Sequence, residues 1–495
     1  MLESAAPALL SQVPPPSPPS PPSSPSSPST PSSPSTPSDF SDDVRERLYQ
    51  FLLPLLTLLD RQIDVRLVRT LWQTVEAMIR FRNRSHGLLL SELGGYLLSP
   101  EHAPAGTKRL SNLLRCSRWK TDLIDDFLWQ QAKERLQALV QAGKLALLLW
   151  DESVIEKPES LKAEGLCPVR SAKAARLKRI KPGFYTPPAG PPVFVPGIPW
   201  VGLILIGLTG PPTVAAMRWF STRGKQMTDA RKVQYELLGH CARQFGAAVL
   251  HVFDRGYAGA PWLCALHEQK VRFVIRWPKH YKLLAPAHEG DEMPAWQIAR
   301  GQSTWDERQL WDARKHRLIP VGVLSMNVQH SQERGPLWLV VARRGKGQEP
   351  WYLLTNEPIT NAEEAWKIVM AYARRYQIEM AFRFSKSELA LESPRLWTWE
   401  RRLKLMLMVT LAYAFLLTLL DESLIWLKEW LLKHFCHRTG KKNKEAAAPL
   451  YRLRDALSKL WSKYRDEAEV LQRDPRYPDK EHPERDATKV MQSSG

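Results

Sequence analysis

The chain has 495 residues, with 70 Lys and Arg against 51 Asp and Glu, a formal net charge of +19. That length admits two to four domains and a sizeable core, and a basic surplus spread along the whole chain points to a polyanionic partner, nucleic acid before membrane. Five scattered cysteines without CxxC spacing give no sign of a disulfide framework or a zinc site and fit a reducing, cytoplasmic compartment.

The first ten residues lack the basic start and apolar run of a secretory signal. Residues 11–38 are almost wholly Pro, Ser and Thr, which cannot bury apolar surface, so a disordered tail is expected over 1–42. From 43 to 143 the periodicity is helical, with helices expected over 44–60, 65–81 and 121–142. Residues 108–115 combine Lys108, Arg109 and Arg115 with an apolar face. A helical DNA-end-binding region is the functional reading, and an ordinary amphipathic helix the alternative.

The texture then changes. An apolar run over 145–150 ends in Asp151, and a basic, Pro-rich excursion over 157–199 carries Arg170, Lys173, Arg176, Lys178, Arg179 and Lys181. Two apolar runs, 201–208 and 213–220, flank Thr209-Gly210-Pro211-Pro212, which reads as a hairpin turn. A helix over 227–245, a strand over 247–253 ending in Asp254, a helix over 260–269 and a strand over 271–276 follow. This order of strands and helices matches the ribonuclease-H-like arrangement, an α/β fold with a mixed sheet flanked by helices, expected over 144–277. A strand-rich region over 278–358, with Trp296, Trp305, Trp311, Trp338 and Trp351, interrupts it. Helix returns for the rest of the core at 359–420 and for a C-terminal region at 421–465, and 466–495 reads as a second disordered tail. The apolar run 405–420 is shorter than the roughly 20 residues that a membrane span needs, so a buried helix is expected.

Asp151 and Asp254 each follow an apolar strand, and the carboxyl ends of strands are where such sheets place their sites. An Asp in that position is more often a turn or cap residue. Tyr372, Arg375, Glu379 and Lys386 fall at offsets of 0, 3, 7 and 14 in a helical segment, within an arc of roughly 60° on one face. A surface ion-pair stripe would look alike. Three carboxylates from separate elements are nevertheless what two-metal phosphoryl transfer requires, and hard magnesium prefers their oxygen.

The segment from Tyr372 through Arg375 and Glu379 to Lys386 resembles the Tyr-Arg-Glu-Lys signature of the insertion-sequence-four family of DDE transposases, with every spacing kept. Asp254-Arg255-Gly256-Tyr257 is similar to the family's second-Asp motif. Trp150-Asp151-Glu152-Ser153 is similar to its first, with Ser153 where Thr is common. The resemblance spans about 144–420. It implies a ribonuclease-H-like core with a mainly β insertion, and a metal-dependent enzyme that cuts and pastes DNA, with a hairpin intermediate. Asp151, Asp254 and Glu379 would hold two Mg²⁺, for which Mn²⁺ can substitute. Tyr372, Arg375, Lys386, Arg255, Arg176, Lys178 and Arg179 would meet DNA, and Trp338 or Trp351 would stack an extruded base. Its implied partners are duplex DNA, as transposon terminal inverted repeats and target, and a second copy of the chain in a DNA-bridged homodimer. It implies a bacterial cytoplasmic, nucleoid-associated location. A nuclease on the same fold that cuts without joining, or a non-catalytic DNA-binding descendant, remains open at this point.

Overall fold

The computed structural model describes residues 36–81, 83–160, 162–172, 192–285, 291–312, 317–345, 347–436 and 450–464. The first helix, α1 (Pro37–Asp60), opens inside the stretch expected to be a tail. Thr36 caps it: the hydroxyl accepts from the Asp39 amide while the Asp39 carboxylate accepts from the Thr36 amide, and this exchange satisfies two otherwise orphaned donors. Four more helices follow, α2 (Val65–Arg80), α3 (Leu90–Leu97), α4 (Ala103–Arg115) and α5 (Asp122–Gln141). On α4, Leu110, Leu113 and Leu114 are buried while Lys108, Arg109 and Arg115 are exposed.

The central sheet begins with β1 (Ala146–Glu156), β2 (Cys167–Arg170), β3 (Phe194–Gly207) and β4 (Thr213–Trp219). After α6 (Ala230–Phe245) come β5 (Val249–Phe253), α7 (Ala260–Glu268) and β6 (Arg272–Arg276). β3 pairs antiparallel with β4 on one side and with β1 on the other, and β1, β5 and β6 run parallel in that order. The resulting order β4-β3-β1-β5-β6, a hairpin meander joined to two parallel crossovers, is the ribonuclease-H-like topology. Its parallel strands need the crossover helices α6 and α7, which cover one face.

The expected interruption is strand-rich, but it does not stand apart from this sheet. It contains β7 (Lys282–Leu284), β8 (Glu292–Pro294), a single helical turn α8 (Ala295–Ile298), β9 (Asp306–Asp312), β10 (Arg317–His330), β11 (Glu333–Arg344) and β12 (Trp351–Thr355). β12 pairs antiparallel with β6, Leu354 opposite Ile275, and extends the core sheet into one sheet of 12 strands. Both strands are apolar and buried, so their free edges are satisfied by each other.

The chain then returns to the sheet through α9 (Ala362–Ala373), α10 (Tyr376–Ser387) and α11 (Trp399–Thr418), followed by α12 (Ile425–Phe435) and α13 (Leu450–Lys463). α11 is buried almost throughout, as expected for 405–420. Its one fully covered cation, Lys404, donates to the Cys116 carbonyl at 2.8 Å and ties this helix to the end of α4. Among the described residues no single helix is long and apolar enough to cross a membrane.

Side-chain alternation on β1 sorts the two faces of the sheet. Leu147 and Leu149 pack into the core that also contains residues of α9, α10 and α11, while Leu148 and Trp150 pack into the core shared with α6 and α7. Asp151 continues the first set and Glu152 the second. This parity determines what each acid meets.

Candidate active site

Asp151 does not end its strand, as the apolar run suggested; β1 continues to Glu156. What ends near it is the partner on one side. The parallel pairing of β1 with β5 stops at Leu149 opposite Val252, whereas β1 and β3 stay paired, with Asp151 opposite Gly202. The carboxylate therefore emerges where the sheet has just lost a strand. Gly202 matters here because a Cβ on it would lie 2.5 Å from the Phe382 ring. Without that Cβ, Phe382 seats against β3 and brings α10, the helix of Glu379, down beside Asp151.

Asp254 follows β5 directly. Its carboxylate accepts from the Gly256 amide at 2.8 Å and caps the short 3-10 turn Arg255–Tyr257. The ordinary cap role and a place in an acid cluster thus coincide in one side chain.

The third segment departs from the continuous helix expected from its spacing. α9 ends at Ala373, and Arg374 and Arg375 form a tightened turn before α10, with the amides of Arg375, Gln377 and Ile378 bonded three residues back. Tyr372, the last but one residue of α9, is 6% exposed and edge-on to Trp351 with ring centroids 5.1 Å apart, its phenol within electrostatic reach of the Arg375 and Arg276 guanidiniums, so the four residues do not share one continuous helix. Arg375, at the turn and 7% exposed, spans two acids: Nη1 lies 3.1 Å from Asp151 Oδ2, and Nη2 bonds Glu379 Oε1. Lys386 donates to Ser153 Oγ at 2.7 Å and lies over the Trp200 ring, 5.6 Å from its centroid.

Electrostatics tie the acids together. Burial pushes the Asp151 carboxyl up to about 7; the Arg375 guanidinium opposes that rise, and the charges of Asp254 and Glu379 add to it. Two residues join the cluster that sequence reasoning passed over. Glu152, on the opposite face of β1, accepts from the Gln234 side chain on α6, and burial and then the Asp254 charge raise its carboxyl. Tyr257 is buried with its ring in the α6–α7 core, and burial, then the charges of Glu152, Asp151 and Asp254, raise its phenol. The signal for both lay in the motifs, one residue beyond Asp151 and three beyond Asp254.

The remaining expectations fare differently. Trp351 is 3% exposed, with the Arg276 and Arg344 guanidiniums 5.6 and 4.8 Å from its ring, so no face is left for a stacked base. Trp338 is half-buried against the core. Arg255 is half-buried close to Arg276, a cation at the end of β6 that no local pattern marks. Arg176, Lys178 and Arg179 lie outside the described residues.

Behind the acids, Trp150 Nε1 donates to His251 Nδ1 at 3.1 Å and links β1 to β5. Burial lowers His251 from 6.5 to about 3, so the folded protein keeps it neutral. Between these values the unfolded chain takes up a proton that the folded chain refuses, so stability is lost as pH falls from about 6.5 toward 3. At pH 5 this one group costs about 2 kcal/mol relative to pH 8. Denaturant titrations at the two pH values should show that much less acid sensitivity in His251→Gln; equal sensitivity in both proteins would contradict a neutral, buried imidazole.

Residues 217–415 match the family model described as the transposase DDE domain. Over this stretch the chain is similar to a transposase DDE domain. The matched stretch runs from β4 to α11 and includes Asp254, Arg375, Glu379 and Lys386, while Asp151 precedes it. No curated protein matches the chain in sequence. Among solved structures, a cryo-EM structure of the piggyBac transposase synaptic complex with hairpin DNA is similar at 14% identity and a TM-score of 0.40, over 88% of this chain and 80% of that one.

DDE domains in general depend on divalent metal. Among the described residues no three carboxylates, imidazoles or thiols stand close enough to share an ion as they are, and Arg375 sits between two of the acids. The donor chemistry fits nonetheless: three carboxylates that repel one another, supplied by a strand, a turn and a helix, are a hard oxygen set for a dication.

Proposed function

We propose that the protein is a cut-and-paste DNA transposase of the insertion-sequence-four type, in which Asp151, Asp254 and Glu379 hold two Mg²⁺, with Mn²⁺ able to substitute. The observation that carries this reading is the convergence of the three acids on one field around Arg375, from elements far apart in the chain. Bound dications supply a lowered pKa for the attacking hydroxyl and charge neutralisation for the leaving oxygen.

The chain's own residues then have these parts. β1 and β5, joined through Trp150 and His251, keep Asp151 and Asp254 in register. α10 presents Glu379, and Lys386, oriented by Ser153, meets a backbone phosphate of the transposon end. Arg375 takes a second phosphate. Water opens one phosphodiester and leaves a 3′ hydroxyl. That hydroxyl attacks the opposite strand, forming one P–O bond as another breaks, and closes a hairpin. Hairpin hydrolysis and attack on target DNA repeat the same exchange. Two ends held by two copies of the chain form the working complex.

The test is an assay with full-length protein, Mg²⁺ and a duplex bearing the inverted repeats that flank its gene. Joined donor–target product is the expected result. Nicks without joining would make the protein a nuclease, and end binding without nicks a non-catalytic descendant. Because phosphate contacts carry the affinity, end binding should weaken by at least about a hundredfold between 50 and 200 mM salt. A salt-insensitive complex would argue against a backbone-gripping basic surface.

A further inference from the structure

Arg375 and a metal ion would compete for the same oxygens. Its planar fork places one nitrogen on Asp151 and another on Glu379, in a setting where only 7% of the residue meets solvent. Magnesium requires carboxylate oxygens at about 2.0–2.1 Å in near-octahedral array. A guanidinium between the two carboxylates holds them at hydrogen-bond distance from itself, and among the described residues no three carboxylate, imidazole or thiol groups stand close enough to share an ion as they are. The acids nonetheless need a cation, since their mutual repulsion is opposed by this side chain.

The fork that fits a carboxylate also fits a phosphate, with two parallel charge-assisted bonds. Arg375 sits on the tightened turn between α9 and α10, and both it and Arg374 keep ordinary right-handed backbone angles.

We propose that Arg375 is a resident counter-ion that closes the metal seat of the DNA-free protein and opens it when a DNA phosphate takes over its guanidinium. Metal and DNA binding are then positively coupled, and by linkage each strengthens the other by the same factor. The coupling keeps dications, and therefore strand cleavage, away from a site that holds no DNA. This rests on the reading of the three acids as metal ligands.

Mn²⁺ binding to the full-length protein, followed by electron paramagnetic resonance with and without a short blunt duplex, tests it without any turnover. Wild type should bind Mn²⁺ at least tenfold more tightly with the duplex present. Arg375→Lys keeps the charge but has one nitrogen where two are needed to span both acids. It should bind Mn²⁺ at least tenfold more tightly than wild type in the absence of DNA, and lose most of the DNA effect. Equal DNA-free affinities of wild type and Arg375→Lys would overturn the proposal. So would tightening confined to Arg375→Gln, which would mark a plain charge effect. Asp254→Asn in the Arg375→Lys background separates the two levels: if Mn²⁺ still binds, the acids are not the metal seat and the underlying reading fails first. The wild-type comparison needs no variant, so a poorly folded mutant does not remove the test.

Discussion

Glu379→Gln should abolish metal-dependent strand cleavage, by more than about a thousandfold, while end binding stays within about threefold of wild type. The amide keeps the shape of the side chain and its packing on α10, but offers a dication no charge. The affinity for DNA comes from cations that meet phosphate, and these are untouched. One further consequence follows from the geometry: the Arg375 fork loses one of its two carboxylates, so Arg375 turns more readily to phosphate and end binding should tighten if it changes at all. Quantitative cleavage of a labelled end and a parallel gel-shift titration read both quantities. Retained cleavage would remove Glu379 from the site, and binding lost together with cleavage would make the helix structural.

Gly106→Val should disrupt the α3–α4 pair and cost about 3 kcal/mol, at the upper end of what overpacking does. A Cβ on Gly106 would lie 2.2 Å from the Gly94 carbonyl oxygen and 2.8 Å from the Gly94 Cα; one on Gly94 would lie 2.5 Å from the Thr107 amide nitrogen. These are backbone atoms, which cannot swing aside as a flexible side chain can. The helices must separate, and Leu93, Leu97, Leu110 and Leu113, all buried between them and their neighbours, lose contact. Hydrogen exchange is the suitable readout because a chain of this size need not unfold in one step. Amides of α3 and α4 should exchange faster, while β1 and β5 keep their protection. If α4 presents Lys108, Arg109 and Arg115 to DNA, end binding should fall while the acid cluster still binds Mn²⁺. Unchanged protection of α3 and α4 would mean that the two helices do not cross at these glycines.

Several parts of the site were legible before any coordinates. The strands of β1, β3, β4, β5 and β6 showed as apolar runs because each is buried on both faces, and the acids after 150 and 253 were visible as the first charges beyond those runs. The Tyr-Arg-Glu-Lys spacing pointed to a segment that the fold brings beside Asp151, yet the single helix expected from it is broken between α9 and α10. The hydrogen bonds at 374–378 shift to three-residue spacing, and nothing in the local sequence resembles a proline or glycine that would announce it. Trp351 was drawn toward a stacking role by its residue type alone. Its burial depends on Arg276 and Arg344, which reach it from two other strands.

The sequence by itself determined most of the segments that become strands and helices, their order along the chain, and the apolar runs that Asp151 and Asp254 follow, because these follow from short-range periodicity and chain chemistry. The tertiary structure alone decided that β12 pairs with β6 to make one sheet of the core and the interruption, that Gly202 lets α10 approach Asp151, and that one guanidinium bridges Asp151 and Glu379. Those outcomes depend on contacts between residues tens to hundreds of positions apart, set by strand register and by which face each side chain occupies. No local pattern encodes them.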